Sequence, residues 1–258
     1  MIIPSHLTIP RENIKSGMPN ISQADQRNEL LKSNPVSHCA PVAVSNTLMY
    51  LARVYFKSHP TQLVESSSGE LGDESQFRLI EELSKHMKTS STEGTTPQEL
   101  MDGLEKYLTD RHYQFEKREW KGWGNGEVSS LAPPPEVEWI LKNTLDSSDV
   151  IFHLGWYKEG EDSTYPRFGG HFVTSAGYRK KPEVEEVELI VHDPAKRSEG
   201  IPANCDVVKI QDGILIGKKS ATLAENYLKV TGIRVNTSRG ADIAVMDGAF
   251  AFKVKRRT

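Results

Sequence analysis

Cysteine is scarce: only Cys39 and Cys205 occur in 258 residues. Two thiols cannot build a disulfide framework, and they lack the clustering a metal site needs. A single bridge between them stays open, although no pattern asks for one. Apolar runs of the roughly 18–20 residues that span a membrane are missing as well. Met1–Asn13 has charges but no apolar stretch, which does not fit a secretory signal. The expectation is a soluble, cytoplasmic protein, unless an export signal belongs ahead of this sequence. Charge of one sign is not in excess either: 32 Lys+Arg against 35 Asp+Glu leave −3. Nucleic-acid binding needs a basic surplus or stripe, so no nucleic-acid partner is expected. The nearest approach, Lys253, Lys255, Arg256 and Arg257, reads as a solvated chain end. His6, His59, His86, His112 and His153 show no His-x3-His spacing, which argues against zinc. Internal repeats are absent too.

What remains is an ordinary globular chain of 28.9 kDa, 37% hydrophobic and 26% charged, with a mean hydropathy of −0.50. That length suffices for a substantial core. Polar and Gly-rich segments punctuate it at Glu65–Gly72, Thr89–Thr95, Gly122–Pro135 and Gly160–Gly170. The first half reads as helical. Over Val42–Phe56 two apolar sets, Val42, Met49, Ala52, Phe56 and Val44, Leu48, Leu51, Tyr55, cover more than one stripe and predict a helix buried on most sides. Pro41 sits in its first turn, where proline is tolerated. A second helix is predicted over Glu74–Met87, with Phe77, Ile80, Leu83 and Met87 on one face. Thr96-Pro97-Gln98-Glu99 is a capping box that opens a third, carrying Leu100, Leu104 and Leu108. A fourth follows Pro133-Pro134-Pro135 with Val137, Ile140, Leu141 and Leu145.

From Val150 the pattern turns to short strands: Val150–Trp156, His171–Tyr178, Val187–His192, Val207–Ile210, Ile214–Ile216, Tyr227–Val235 and Ala249–Val254. Lys180-Lys181-Pro182-Glu183 reads as a turn, with Glu185, Glu186 and Glu188 facing water. Helices first and strands afterwards predict an α+β protein with two lobes rather than alternating βαβ units.

Three positions combine into chemistry. Cys39, in Ser37-His38-Cys39-Ala40-Pro41, falls at a helix N-terminus, where the positive end of the macrodipole favours thiolate. His171, in Gly169-Gly170-His171-Phe172-Val173, opens a strand and has a side chain suited to a base at neutral pH. Asp193 ends the next strand in Val191-His192-Asp193-Pro194, where it can accept the second ring N–H of His171. Each has a bland counterpart: a small buried hydrophobe, a structural histidine, and an Asp-Pro turn. His38 points about 100° away from Cys39 on a helix and ranks below His171, while His192 faces opposite to Asp193 and reads as structural. Trp120, Trp123 and Trp156, with Gly122, Gly124 and Gly126, fit either a substrate groove or core anchors. The Gly-x-Gly-x-Gly run precedes no helix that would bind phosphate.

This ordered set, Cys39 on a helix, Gly-His at a strand start and Asp-Pro at the next strand end, resembles the papain-like cysteine peptidases. Its closest likeness is to domains similar to the bacteriocin-leader (double-glycine) peptidases, over roughly residues 30–195. The resemblance implies a two-lobed papain-like fold, Cys39, His171 and Asp193 as a catalytic triad, a peptide or protein substrate, and no metal or organic cofactor. Glu93-Gly94-Thr95-Thr96 and Ile151–Trp156 also fit it. One departure stands out. The family carries a Gln six residues before the nucleophile as an oxyanion donor; here that position is Ser33, followed by Asn34, and Gln26 lies too far upstream. Asn34 is the candidate replacement, beside the backbone N–H of Cys39. Ala40 stands where the family often has Gly.

The expected layout is an N-terminal arm, 1–24, and a single domain, 25–258, divided into a helical lobe (about 25–132) and a β lobe (about 133–258) that includes a C-terminal extension. The expected function is peptide-bond cleavage through an acyl-thioester. Amidase or acyltransferase chemistry uses the same triad, and a non-catalytic peptide-binding module is the rival from another class. The absence of a Walker-type loop means that no nucleotide-driven transporter is attached within these residues.

Overall fold

Chain order begins with an extended arm that carries a three-residue strand, β1 (Glu12–Ile14). Five helices follow: α1 (Glu29–Ser33), α2 (Cys39–Val54), α3 (Pro60–Leu63), α4 (Asp73–His86) and α5 (Pro97–Asp110). Strand β2 (Tyr113–Gly122) and helix α6 (Val137–Asn143) lead into β3 (Ser148–Tyr157), β4 (Thr164–Lys180) and β5 (Val187–His192). The chain closes with β6 (Ala203–Lys209), β7 (Ile214–Ile216), β8 (Ala221–Leu223), β9 (Leu228–Thr231) and β10 (Ile243–Arg256). This computed structural model describes residues 9–128, 132–145, 147–181, 186–195 and 201–257, so Pro182, Glu183 and Glu185 of the expected turn lie outside the described residues. The architecture is mixed α+β.

Six strands pair antiparallel in a closed ring, β3–β4–β5–β6–β9–β10 and back to β3. One apolar cluster draws on all six, including Phe152, Val173, Leu189, Cys205, Leu228 and Met246. Closure of a sheet on itself removes its edges, and alternate residues along each strand supply the lining. Beside the ring, β7 pairs parallel with the start of β4 and antiparallel with β8.

Helix α2 is buried along nearly its whole length, from Cys39 to Ala52, as its two apolar sets predict. It packs with α4 and α5 against the sheet, where Leu48, Leu83, Leu104, Phe172 and Phe250 share one core cluster. The capping box of α5 is formed in both directions: the Thr96 hydroxyl accepts from the Glu99 N–H at 3.2 Å, and the Glu99 carboxylate accepts from the Thr96 N–H at 2.8 Å.

Several elements differ from expectation. Strand β4 begins at Thr164, so His171 lies inside the strand rather than at its start. Tyr113–Gly122, inside the segment read as the helical lobe, is a ten-residue strand paired to β10. Its run Glu116, Lys117, Arg118 disguised it; β2 is an edge strand, and edge strands accept outward charges. Helix α6 stops at Asn143, short of Leu145. The last strand begins at Ile243 rather than Ala249.

From residue 9 onward the arm is tied down at several points. β1 pairs with β4 from Glu12↔Arg179 to Ile14↔Gly177. Lys15 is buried against Asp149 of β3, His192 Nδ1 meets the Pro19 carbonyl at 2.8 Å, and the Gln23 N–H donates to the Pro194 carbonyl at 2.7 Å.

Candidate active site

Cys39 is the first residue of α2. His38, which caps the helix, makes no side-chain bond to it, and no acidic residue stands in the first turn. The positive end of a sixteen-residue helix is therefore left for an anion on Cys39 itself. The His171 side chain and the N–H groups of Phe172 and Ala40 stand close enough to the sulfur to favour its anion.

β4 supplies His171 and β5 runs out at His192, so the paired strands deliver Asp193 beside the imidazole. His171 Nε2 lies 2.6 Å from Asp193 Oδ1, and both side chains are buried. Asp193 Oδ1 also accepts the Ala195 N–H at 2.8 Å, which fixes the carboxylate. With Nε2 engaged by the acid, Nδ1 is the nitrogen left for sulfur. Trp156 of β3 stacks on the imidazole at 5.6 Å with 27° between planes, shielding the pair from water.

Burial opposes charge on both groups of the pair, and neighbouring groups offset it for each. Burial pushes the Cys39 thiol up, but the His171 hydrogen bond and charge, with the two backbone donors, leave it below its ordinary value. Burial pulls His171 down, while the Asp193 charge and hydrogen bond, then Cys39, bring it up to about 9. Thiolate facing imidazolium is the state this arrangement favours near neutral pH. Cys205 has the opposite fate: burial, then Asp193, Asp206 and Glu188, push it up to about 12. Both cysteines are free thiols.

The remaining candidates fall elsewhere. His38 is buried with Nδ1 3.1 Å from the Ser37 hydroxyl, and burial lowers its pKa. His192 binds the arm. Trp120 Nε1 donates to the Gly122 carbonyl and Trp123 Nε1 to the Ser220 hydroxyl, and both rings are buried anchors. Ser33 is exposed at the end of α1, and Asn34, the cap of that helix, gives Nδ2 to the Leu30 carbonyl at 3.0 Å. Gln26 is exposed and donates to the Ala24 carbonyl.

Sequence reasoning passed over Gln23. It is 5% exposed, its main chain is bonded to Pro194 directly after Asp193, and its Oε1 has no hydrogen-bond partner. Spacing gave no signal for it, because α1 is inserted between Gln23 and Cys39. Among the described residues, no three His, Cys, Asp or Glu side chains gather as a metal site would require, and no helix is long and apolar enough to cross a membrane. In comparison with known proteins, the chain matches no family model and no curated protein.

Proposed function

We propose that the protein is a cysteine peptidase with a papain-like two-lobed arrangement, its nucleophile at the start of α2 and its His-Asp pair on the β ring. The observation that carries this reading is the chain of contacts from Cys39 to His171 to Asp193, with 2.6 Å at the His-Asp step. A buried structural cysteine needs neither an imidazole nor a carboxylate behind it.

The Cys39 thiolate attacks the carbonyl carbon of the scissile peptide, and the carbonyl electron pair moves to oxygen. The Cys39 N–H, among the first-turn donors without an intrahelical acceptor, stabilises that oxyanion. As the tetrahedral adduct collapses, His171 gives its Nδ1 proton to the departing amine and an acyl-thioester remains. Water then attacks the thioester with His171 as base, releasing the acid and restoring the thiolate–imidazolium pair. Asp193 holds the ring orientation throughout.

A second side-chain donor to the oxyanion completes the site. Asn34 has one amide hydrogen committed to Leu30, whereas Gln23 is buried beside the Asp193 turn and its Nε2, the donor an oxyanion needs, is given to no partner among the described residues. Gln23 is the better candidate. The substrate is a peptide or protein, with amide or acyl transfer as variations in what accepts the acyl group.

The test is alkylation of Cys39 by iodoacetamide against pH, with Cys205 as internal reference. Cys39 is expected to react well below the ordinary thiol pKa of about 8.5, to outpace Cys205, and to lose this advantage in His171→Ala. Equal and slow reaction of both thiols would sink the reading and leave the peptide-binding module in its place.

A further inference from the structure

A second buried charge cluster lies one residue from His171, and the mechanism above does not use it. Asp247 is fully buried on β10. Its Oδ2 accepts from Arg167 Nε at 2.8 Å and from the Tyr157 hydroxyl at 2.8 Å. Its Oδ1 lies 2.7 Å from His153 Nδ1, close enough for charge contact though poorly aligned for a hydrogen bond. Arg167 Nη2 stands 3.3 Å from His153 Nε2. Because a guanidinium only donates, His153 Nε2 is the acceptor in that contact.

Two β-bulges build this cluster. Register between β10 and β3 passes from Met246↔Leu154 to Gly248↔His153, which makes Asp247 the extra residue. Register between β3 and β4 passes from Trp156↔Gly169 to Tyr157↔Arg167, which makes Phe168 extra and sets Arg167 opposite Tyr157. Bulges re-aim side chains, and here one on each side of β3 turns Asp247 and Arg167 onto the same spot. Gly170 closes it: a Cβ there would meet Arg167 Nη2 at 2.4 Å and His153 Nε2 at 2.9 Å. The guanidinium therefore lies against the backbone of the residue that immediately precedes His171.

We propose that Arg167 is a positioning residue for His171, pinning the Gly169-Gly170 ribbon against the Asp247–His153 pair so that the imidazole meets Cys39. The ladder pairs Gly169 and Gly170 with Trp156 and Gly155 of β3; the guanidinium adds a side-chain contact behind Gly170, and Asp193 holds the far side of the ring. Around His171 stand Cys39, Asp193 and Trp156; around Arg167 stand Asp247, Tyr157 and His153, with Glu127 in electrostatic reach. This inference rests on the Cys39–His171 pair proposed above.

The experiment compares iodoacetamide alkylation of Cys39 against pH in wild type, Arg167→Gln and Gly170→Ala, each checked for a cooperative thermal melt. Wild type must first show a reactive thiolate at pH 6; if it does not, the peptidase reading fails rather than this one. With that in place, both variants are expected to react about tenfold more slowly at pH 6 than wild type and to converge with it above pH 9, the signature of a thiolate pKa raised by about one unit. A merely structural role would lower the melting temperature and leave the pH profile where it was, which overturns the proposal. A shift in only one of two folded variants overturns it too, because Arg167→Gln alone would report lost charge and Gly170→Ala alone a local strain independent of Arg167. Should Arg167→Gln fail to fold, Arg167→Lys, which also removes the guanidinium from behind Gly170, takes its place in the same comparison.

Discussion

At the scale of single residues, the environment separates two cysteines that composition cannot. Cys39 and Cys205 are both buried, but one faces the His171 imidazole and a helix N-terminus and the other faces carboxylates. The same logic distinguishes the amides near the site. Replacing Gln23 with Ala is expected to lower kcat about 10²–10³-fold with little change in KM, the usual cost of losing one oxyanion donor. Asn34→Ala is expected to leave kcat within a few-fold and to act on the end of α1 instead. Steady-state kinetics on any cleaved peptide checks both, and the reverse ranking would return the donor role to Asn34.

At the scale of elements, local signals and pairing divide the work. The Thr96–Glu99 box starts α5 by satisfying N–H groups that no helix can satisfy internally. Thr96→Ala is expected to cost about 1 kcal/mol in urea unfolding, with an unchanged m-value. The start of α2 departs from this rule. It has no side-chain cap and no acidic residue in its first turn, so no neighbouring side chain neutralises the positive end that acts on Cys39. Strand β2 shows the converse limit: its alternation is masked by charges, and only pairing with β10 identifies it. β10 has neighbours on both sides, β2 and β3 along most of its length and β9 near its start.

For the whole molecule, the ring of strands concentrates buried charge where the β3, β4 and β10 chains meet. Burial opposes ionisation of Asp247, but the Arg167 charge and then His153 hold its carboxyl well below the usual carboxylate range. The sign follows from linkage. A carboxyl depressed in the folded state contributes stability that is present above its unfolded pKa near 4 and is lost as pH falls toward the folded value. Unfolding free energy is therefore expected to decline steeply below pH 4. In Asp247→Asn that acid slope should shrink, and stability at pH 7 should drop by about 3–5 kcal/mol because Arg167 is left buried without its partner. Urea unfolding at pH 3, 4 and 7 measures both, and an undiminished acid slope in the variant would assign it to other carboxylates.

The sequence by itself determined what depends on near neighbours. The apolar period of α2, the capping box of α5 and the α+β division could be read from short windows, as could the place of Cys39 at a helix start and of Asp193 just past a strand end, because helix periodicity, caps and strand ends are written within a few residues. Tertiary structure decided what depends on separations no window spans. It brought the Cys39 sulfur to the His171 ring, closed six strands into a ring through β10, and turned Asp247 toward Arg167 by two bulges whose extra residues have no local signature. It also set Gln23 beside Pro194, across an insertion that breaks any fixed spacing to the nucleophile. A bulge or a strand partner is chosen by the burial and hydrogen-bond needs of distant segments together, and those exist only once the chain has folded.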